Sequence, residues 1–172
     1  MKFNPCWIVA VVLASAPYTL HAAQTLVTER TLSVDAALEA AVAALEQCRK
    51  NGTQVTVTVL DHAGRTKVIL RDDGANPHTV EHSMRKAYTA LTYRDPSADY
   101  GKRATSRPTG AGALHLDKIT TSGGGLPIRA ANEVVGAIGI SGSTGVAGQP
   151  GGVRDEVCAQ AGIDRIAKGL GG

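Results

Sequence analysis

The polar and apolar positions of this chain form short periodic blocks separated by glycine, proline and Asx-rich breaks. Apolar residues recur at Val34, Leu38, Val42 and Leu45 with alanines between them, the 3.6-residue period of a helix. Ser33 supplies an N-cap, Asp35 an acid in the first turn, and Arg49, Lys50 and Asn51-Gly52 a basic end and a stop. The pattern therefore predicts an Ala-rich helix over residues 33–50. Gln54 to Leu60 alternates strictly, Val55, Val57 and Val59 against Thr56 and Thr58, which predicts a half-buried strand. Asp61-His62-Ala63-Gly64 turns the chain into a second strand, Thr66 to Arg71. A helix capped by Thr79 then runs to Tyr93 with Val80, Met84, Ala87, Tyr88 and Leu91 on one side, and Asp95-Pro96 ends it.

A short helix from Ser97 to Lys102 and a weak strand over Leu114 to Thr121 follow. A second hairpin pairs Leu126–Ala130 with Val134–Ile140, and a last helix runs from Val153 to Lys168 with Val157, Ala161 and Ile166 around one face. Gly136 and Gly139 strip side-chain bulk from the final strand, so another element can lie flat on it. The order α-β-β-α-α-β-β-β-α, joined by hairpins, predicts an α+β fold: an antiparallel sheet packed with helices, in a single domain with no internal repeat.

The first residues read differently. Lys2, an apolar run from Cys6 to Ala16 and the small-residue exit at Ala22-Ala23 describe a secretory signal peptide over residues 1–23. The apolar run is well short of the roughly 20 residues that cross a bilayer, so no stable membrane insertion is expected. The domain is then residues 24–172, about 150 residues and enough for one real core, and its location is periplasmic or secreted.

The net charge of +3 is small and dispersed, which argues against a nucleic-acid footprint. The only Trp and Phe leave with the leader, so no aromatic platform for single-stranded nucleic acid remains. Cys48 and Cys158 also remain. In an oxidising compartment the pair reads as a disulfide closing a long loop, with two buried free thiols as the alternative.

Five motifs occur in order over residues 33–168. They are Asp61-x-x-Gly64 after the valine-rich strand, Lys86-Ala87-Tyr88-Thr89-Ala90, Gly123-Gly124-Gly125-Leu126-Pro127-Ile128, Val135 through Gly142, and Asp155-x-x-Cys158-x-x-Ala161-Gly162. Together they resemble the GlcG/HbpS family of haem-binding proteins, to which the C-terminal domain of PduO is related. The resemblance implies a profilin-like sheet and helices, homo-oligomers, and haem binding with haem degradation in some members. It implies fold more firmly than function, since one fold hosts many activities.

Haem iron takes a nitrogen, sulfur or phenolate ligand, and the porphyrin needs an apolar slot with partners for its propionates. His78 and His82, four apart with His78 at or before the N-cap, are the candidate iron ligands. Arg85, Lys86 and Tyr88 follow within two turns as candidates to hold propionates or pack on the ring. A polar helix start with two solvated histidines is the alternative. His115 and His62 read as loop and turn residues before ligands.

Thr79-Val80-Glu81 between the two histidines is not a zinc-protease pattern. Ser141-Gly142-Ser143 shows no nucleophile elbow, and the loop from Gly145 to Gly152 lacks a phosphate cradle. Asp155 and Glu156 point about 100° apart on a helix and read as caps. The leading expectation is haem capture, with possible breakdown of the porphyrin. The alternatives are a non-haem accessory or small-molecule-binding subunit of a catabolic pathway, and an oligomeric scaffold.

Overall fold

The structure, a computed structural model, describes residues 26–106 and 108–171, so the expected leader over residues 1–23 lies outside it. Its elements in chain order are α1 (Val34–Lys50), β1 (Thr56–Asp61), β2 (Thr66–Arg71), α2 (Thr79–Tyr93), α3 (Ser97–Ser106), a 3-10 helix (Pro108–His115), β3 (Gly125–Ala130), β4 (Glu133–Ser141), α4 (Gly151–Ile166) and a second 3-10 helix (Ala167–Leu170). The four strands form one sheet in the order β2-β1-β4-β3, every neighbouring pair antiparallel. This is the α+β single domain expected.

The two faces of the sheet are chemically different. Val55, Val57, Val59, Ile138 and Ile140 project to one side, where they meet Ala37, Ala40, Ala41 and Ala44 of α1 and Ala159 of α4. The opposite side carries Thr56, Thr58, Leu60 and Ala137, covered by α2. The threonines of β1 are therefore fully buried, not solvent-facing as the alternation predicts. Their hydroxyls are satisfied by α2: Thr56 Oγ1 lies 2.7 Å from Thr79 Oγ1, and Thr58 Oγ1 lies 2.8 Å from Ser83 Oγ. Each hydroxyl owns one proton. Thr79 and Ser83 give theirs to the Asn76 and Val80 carbonyls, so the strand threonines donate to the helix. Thr79 thus sits inside the helix start, and His78 holds the cap position without a capping side-chain bond.

Small residues govern the packing, and this corrects the predicted helix faces. The buried side of α1 is its alanines with Cys48, while Val34, Leu38 and Val42 are exposed. On α2 the buried side is Thr79, Ser83, Lys86, Ala87, Thr89 and Ala90. On α4 it is Asp155, Cys158, Ala159, Gly162 and Ile166, leaving Val157 exposed. The larger apolar residues sit off the contact because they would hold the helices away from the sheet. Leu114–Thr121 is not a strand. The Thr120 amide donates to Thr89 Oγ1 and the Ile119 amide to the Leu116 carbonyl, so these groups are met by a helix and a turn instead of a ladder.

Cys48 and Cys158 are bonded, joining α1 to α4 across 110 residues of sequence with their Cα atoms 5.4 Å apart. A loop of that length restricts the unfolded chain by roughly 4 to 5 kcal/mol.

α2 passes closely over the sheet at Gly139 of β4 and Gly125 of β3. A Cβ at Gly139 would lie 2.1 Å from the Ser83 carbonyl oxygen and 2.6 Å from the Ala87 amide nitrogen, and one at Gly125 would lie 2.1 Å from the Lys86 carbonyl oxygen. Gly139→Ala is expected to lower the unfolding free energy in urea by about 1–3 kcal/mol or more, the usual cost of overpacking against backbone. An unchanged midpoint would contradict this packing.

Candidate functional site

A cavity of about 620 Å³ opens where the first half of α2, the end of β4 and the start of α4 converge. Its size falls within the range of small-molecule sites. Each wall follows from local sequence. Asn76-Pro77 breaks the chain before α2, and the close contact at Gly139 presses that helix against β4. The run from Gly142 to Pro150 then turns the chain away from the sheet before α4 begins at Gly151. Ala98 of α3, Pro150 and Val153 add apolar wall, and Gly123, Gly142 and Gly152 add surface without side chains.

His78, the N-cap of α2, and His82, one turn into it, both line the cavity. They are not equivalent: His78 is exposed at the mouth and His82 is half-buried. His82 Nδ1 lies 3.2 Å from Ser141 Oγ, the last residue of β4. Burial, reinforced by the neighbouring Lys86 charge, pulls the His82 pKa down from 6.5 to about 4. At neutral pH the ring is uncharged and keeps a lone pair.

Lys86, one turn further along α2, ends inside the protein. Its Nζ lies 2.7 Å from Asp155 Oδ2, and the two side chains are 4% and 2% exposed. The other carboxylate oxygen of Asp155 accepts the Ser143 amide at 3.1 Å. The pair thus ties α2, α4 and the loop after β4 together at the cavity floor. Burial pushes the Asp155 carboxyl up, against the opposing pull of Lys86 and Ser143. Asp155 and Glu156 are not caps of the last helix. Asp155 is this buried partner, and Glu156 accepts the Gly124 amide at 3.3 Å. The roughly 100° between adjacent helical positions sends them to different neighbours.

Of the five residues singled out from the sequence, the structure gathers His78, His82 and Lys86 at one cavity. Arg85 faces away and pairs with Glu81 at 2.6 Å. Tyr88 lines a second, smaller cavity of about 290 Å³ with His62, Leu91 and Arg94, and the Lys118 ammonium sits 5.1 Å from its ring centre. His115 is exposed and lines neither. Ser141, Ser143 and Asp155, read from the sequence as a serine pair without an elbow and as a helix cap, also line this cavity. The only signal of a place in the site was that Ser141 and Asp155 stand inside the resemblance motifs. Among the described residues, no three His, Cys, Asp or Glu side chains converge as a metal cage.

Two outcomes follow. The unfolded chain protonates His82 near 6.5 and the folded chain only near 4, so stability falls as pH drops from 6.5 to 4 and levels off below. His82→Gln should flatten that part of a urea midpoint-against-pH curve; an unchanged slope would refute the buried neutral ring. Asp155→Ala leaves a buried unpaired ammonium and should cost about 3–5 kcal/mol, whereas Lys86→Met with Asp155→Leu should cost clearly less. A loss below about 1 kcal/mol in the single variant would show that the pair is not desolvated.

Comparison with known proteins gives a consistent result. The family model described as haem degrading protein HbpS-like matches residues 32–164. The crystal structure of a double mutant of Streptomyces reticuli HbpS superposes with a TM-score of 0.73 at 34% identity, covering 88% of this chain and 97% of that one. A PduOC:heme complex superposes with a TM-score of 0.68 at 24% identity over 79% of this chain and 95% of that one, a likeness of fold. An uncharacterized 15.0 kDa protein in the dhaT-dhaS intergenic region of Citrobacter freundii is 30% identical over 116 residues, 66% of this chain and 82% of that protein.

Proposed function

The chain belongs to the HbpS-like family of haem-degrading proteins, and on that premise we propose that the cavity beside α2 binds haem with His82 as the iron ligand. One observation carries the reading: a neutral, half-buried imidazole whose Nδ1 is engaged by Ser141 and whose other nitrogen has no partner among the described residues, set in a cavity of about 620 Å³. The donor set fits the cofactor. Iron takes a neutral imidazole, the ring takes the apolar contact of Ala98, Pro150 and Val153, and the Asn76 amide with the Thr144 hydroxyl can meet propionates. Lys86 is consumed by Asp155 and so shapes the floor instead of pairing with a carboxylate of the ligand. His78, exposed at the mouth, contacts the rim. Bound haem would supply the iron and its redox chemistry; the protein's part is to seat the ring, hold one imidazole nitrogen unprotonated and limit water.

The leader pattern and the Cys48–Cys158 bond both suit an oxidising, extracytoplasmic compartment. Among the described residues no helix is long and apolar enough to cross a membrane. Self-association belongs to the same reading, with the exposed Val34, Leu38 and Val42 of α1 as apolar surface a second copy would cover.

The test is a hemin titration of the purified protein followed by absorbance, beside albumin as a nonspecific control. His82→Ala should weaken saturable binding at least tenfold, a loss of about 1.4 kcal/mol, and shift the Soret band, while His78→Ala stays within about threefold of wild type, under about 0.7 kcal/mol on the same scale. Wild-type affinity and spectrum in His82→Ala would overturn the ligand assignment. Binding no stronger than to albumin would favour a non-haem small molecule as the occupant. Bleaching of the Soret band with reductant and oxygen, measured on the same samples, reports on degradation.

A further inference from the structure

His82 is held at one nitrogen only. Nδ1 meets the Ser141 hydroxyl at 3.2 Å. Nε2 has no hydrogen-bond partner among the described residues and is not one of the buried unpartnered polar atoms, so it is the nitrogen open to the cavity. Both partners stand on regular elements. His82 is one turn into α2, its amide bonded to the His78 carbonyl at 3.0 Å. Ser141 closes β4 in register with Thr56 of β1 and is 3% exposed. A contact between two such residues is set by the fold and not by side-chain drift.

Which nitrogen carries the proton decides what His82 can do. A neutral imidazole has one N–H and one lone pair. With the proton on Nδ1 the ring donates to Ser141 and presents a lone pair at Nε2. With the proton on Nε2 it presents an N–H, and no metal can bind there. A serine hydroxyl serves as acceptor or donor, so it permits the first arrangement provided its own proton has another outlet. Ser141 has one, because it lines the same cavity. Histidine ligands generally give their second ring proton to a neighbouring acceptor, which fixes ring and tautomer, and among the described residues Ser141 Oγ is the group within reach of Nδ1.

We infer that Ser141 is a positioning residue for His82: its Oγ accepts the Nδ1 proton and holds the ring, in the ligand-free protein as well, with the Nε2 lone pair free for a metal. This rests on the haem reading of the cavity, and it gives the end of β4 a role that the serine-glycine-serine sequence does not announce.

The experiment has two arms on the full chain. Long-range ¹H–¹⁵N spectra of the hemin-free protein report the His82 tautomer directly. Wild type should show the Nδ1–H form, Ser141→Ala should move the population towards Nε2–H, Ser141→Thr should restore Nδ1–H, and Ser143→Ala should leave it unchanged. A dominant Nε2–H form in wild type, or a tautomer indifferent to Ser141→Ala, overturns the inference. The second arm is hemin titration of the same variants. Ser141→Ala should weaken binding about 10- to 100-fold, as loss of an outer-shell partner does, with a changed Soret position that Ser141→Thr restores. If wild type binds no hemin while the tautomer follows Ser141, the positioning role stands and the haem reading falls. Hemin bound equally by wild type and Ser141→Ala overturns the inference and leaves haem binding intact.

Discussion

The structure depends on how closely α2 lies against the sheet. Gly139 and Gly125 provide no side chain where the helix backbone passes, and atoms of Ser83, Lys86 and Ala87 occupy the space a Cβ would need. At that distance the underside of the helix cannot carry large apolar groups, so it carries Thr79, Ser83 and Ala87. The strand below must then supply hydroxyls, since a buried unpaired one costs about 1–3 kcal/mol. Thr56 and Thr58 supply them. The site inherits this geometry. With Ser83 and Ala87 locked on β4, His82 is carried to the end of that strand beside Ser141, and Lys86 is carried inward to Asp155.

Two electrostatic consequences shape the cavity. The Lys86–Asp155 pair is desolvated, and its value is chiefly that neither partner can be removed without stranding the other. Because Asp155 also holds the Ser143 amide, the pair fixes the loop that walls the cavity. Lys86 then adds to burial in keeping His82 neutral. A ring that stays uncharged well below neutrality suits a ligand nitrogen, since protonation and metal binding compete for the same lone pair.

The sequence was legible where a signal was local. Thr79 to Tyr93, Thr66 to Arg71 and the glycine-marked hairpin could be located because caps, breakers and alternation act over a few residues. The helix faces were not legible. Periodicity weights Val34, Leu38, Val42 and Met84 by hydrophobicity, whereas close packing selected alanine, serine and threonine by size. Thr56 and Thr58 read as a solvent face for the same reason. The stretch after Leu114 has strand-like composition, yet Thr89 and a local turn took its hydrogen bonds. At the site, the two histidines were visible by their spacing. Ser141 and Asp155 were not, because their partners lie 59 and 69 residues away and no local rule links them.

The proposed seat of haem lies between the start of α2 and the end of β4. Ferric haem is paramagnetic, so its position can be read from backbone amide signals broadened on adding hemin to isotopically labelled protein. Selective loss is expected at the amides of residues 76, 78–82, 122–123, 141–144 and 151–155, with the amides of His62, Leu91 and Arg94 retained. Broadening centred on His62, Tyr88 and Arg94 would place the ring in the second cavity instead.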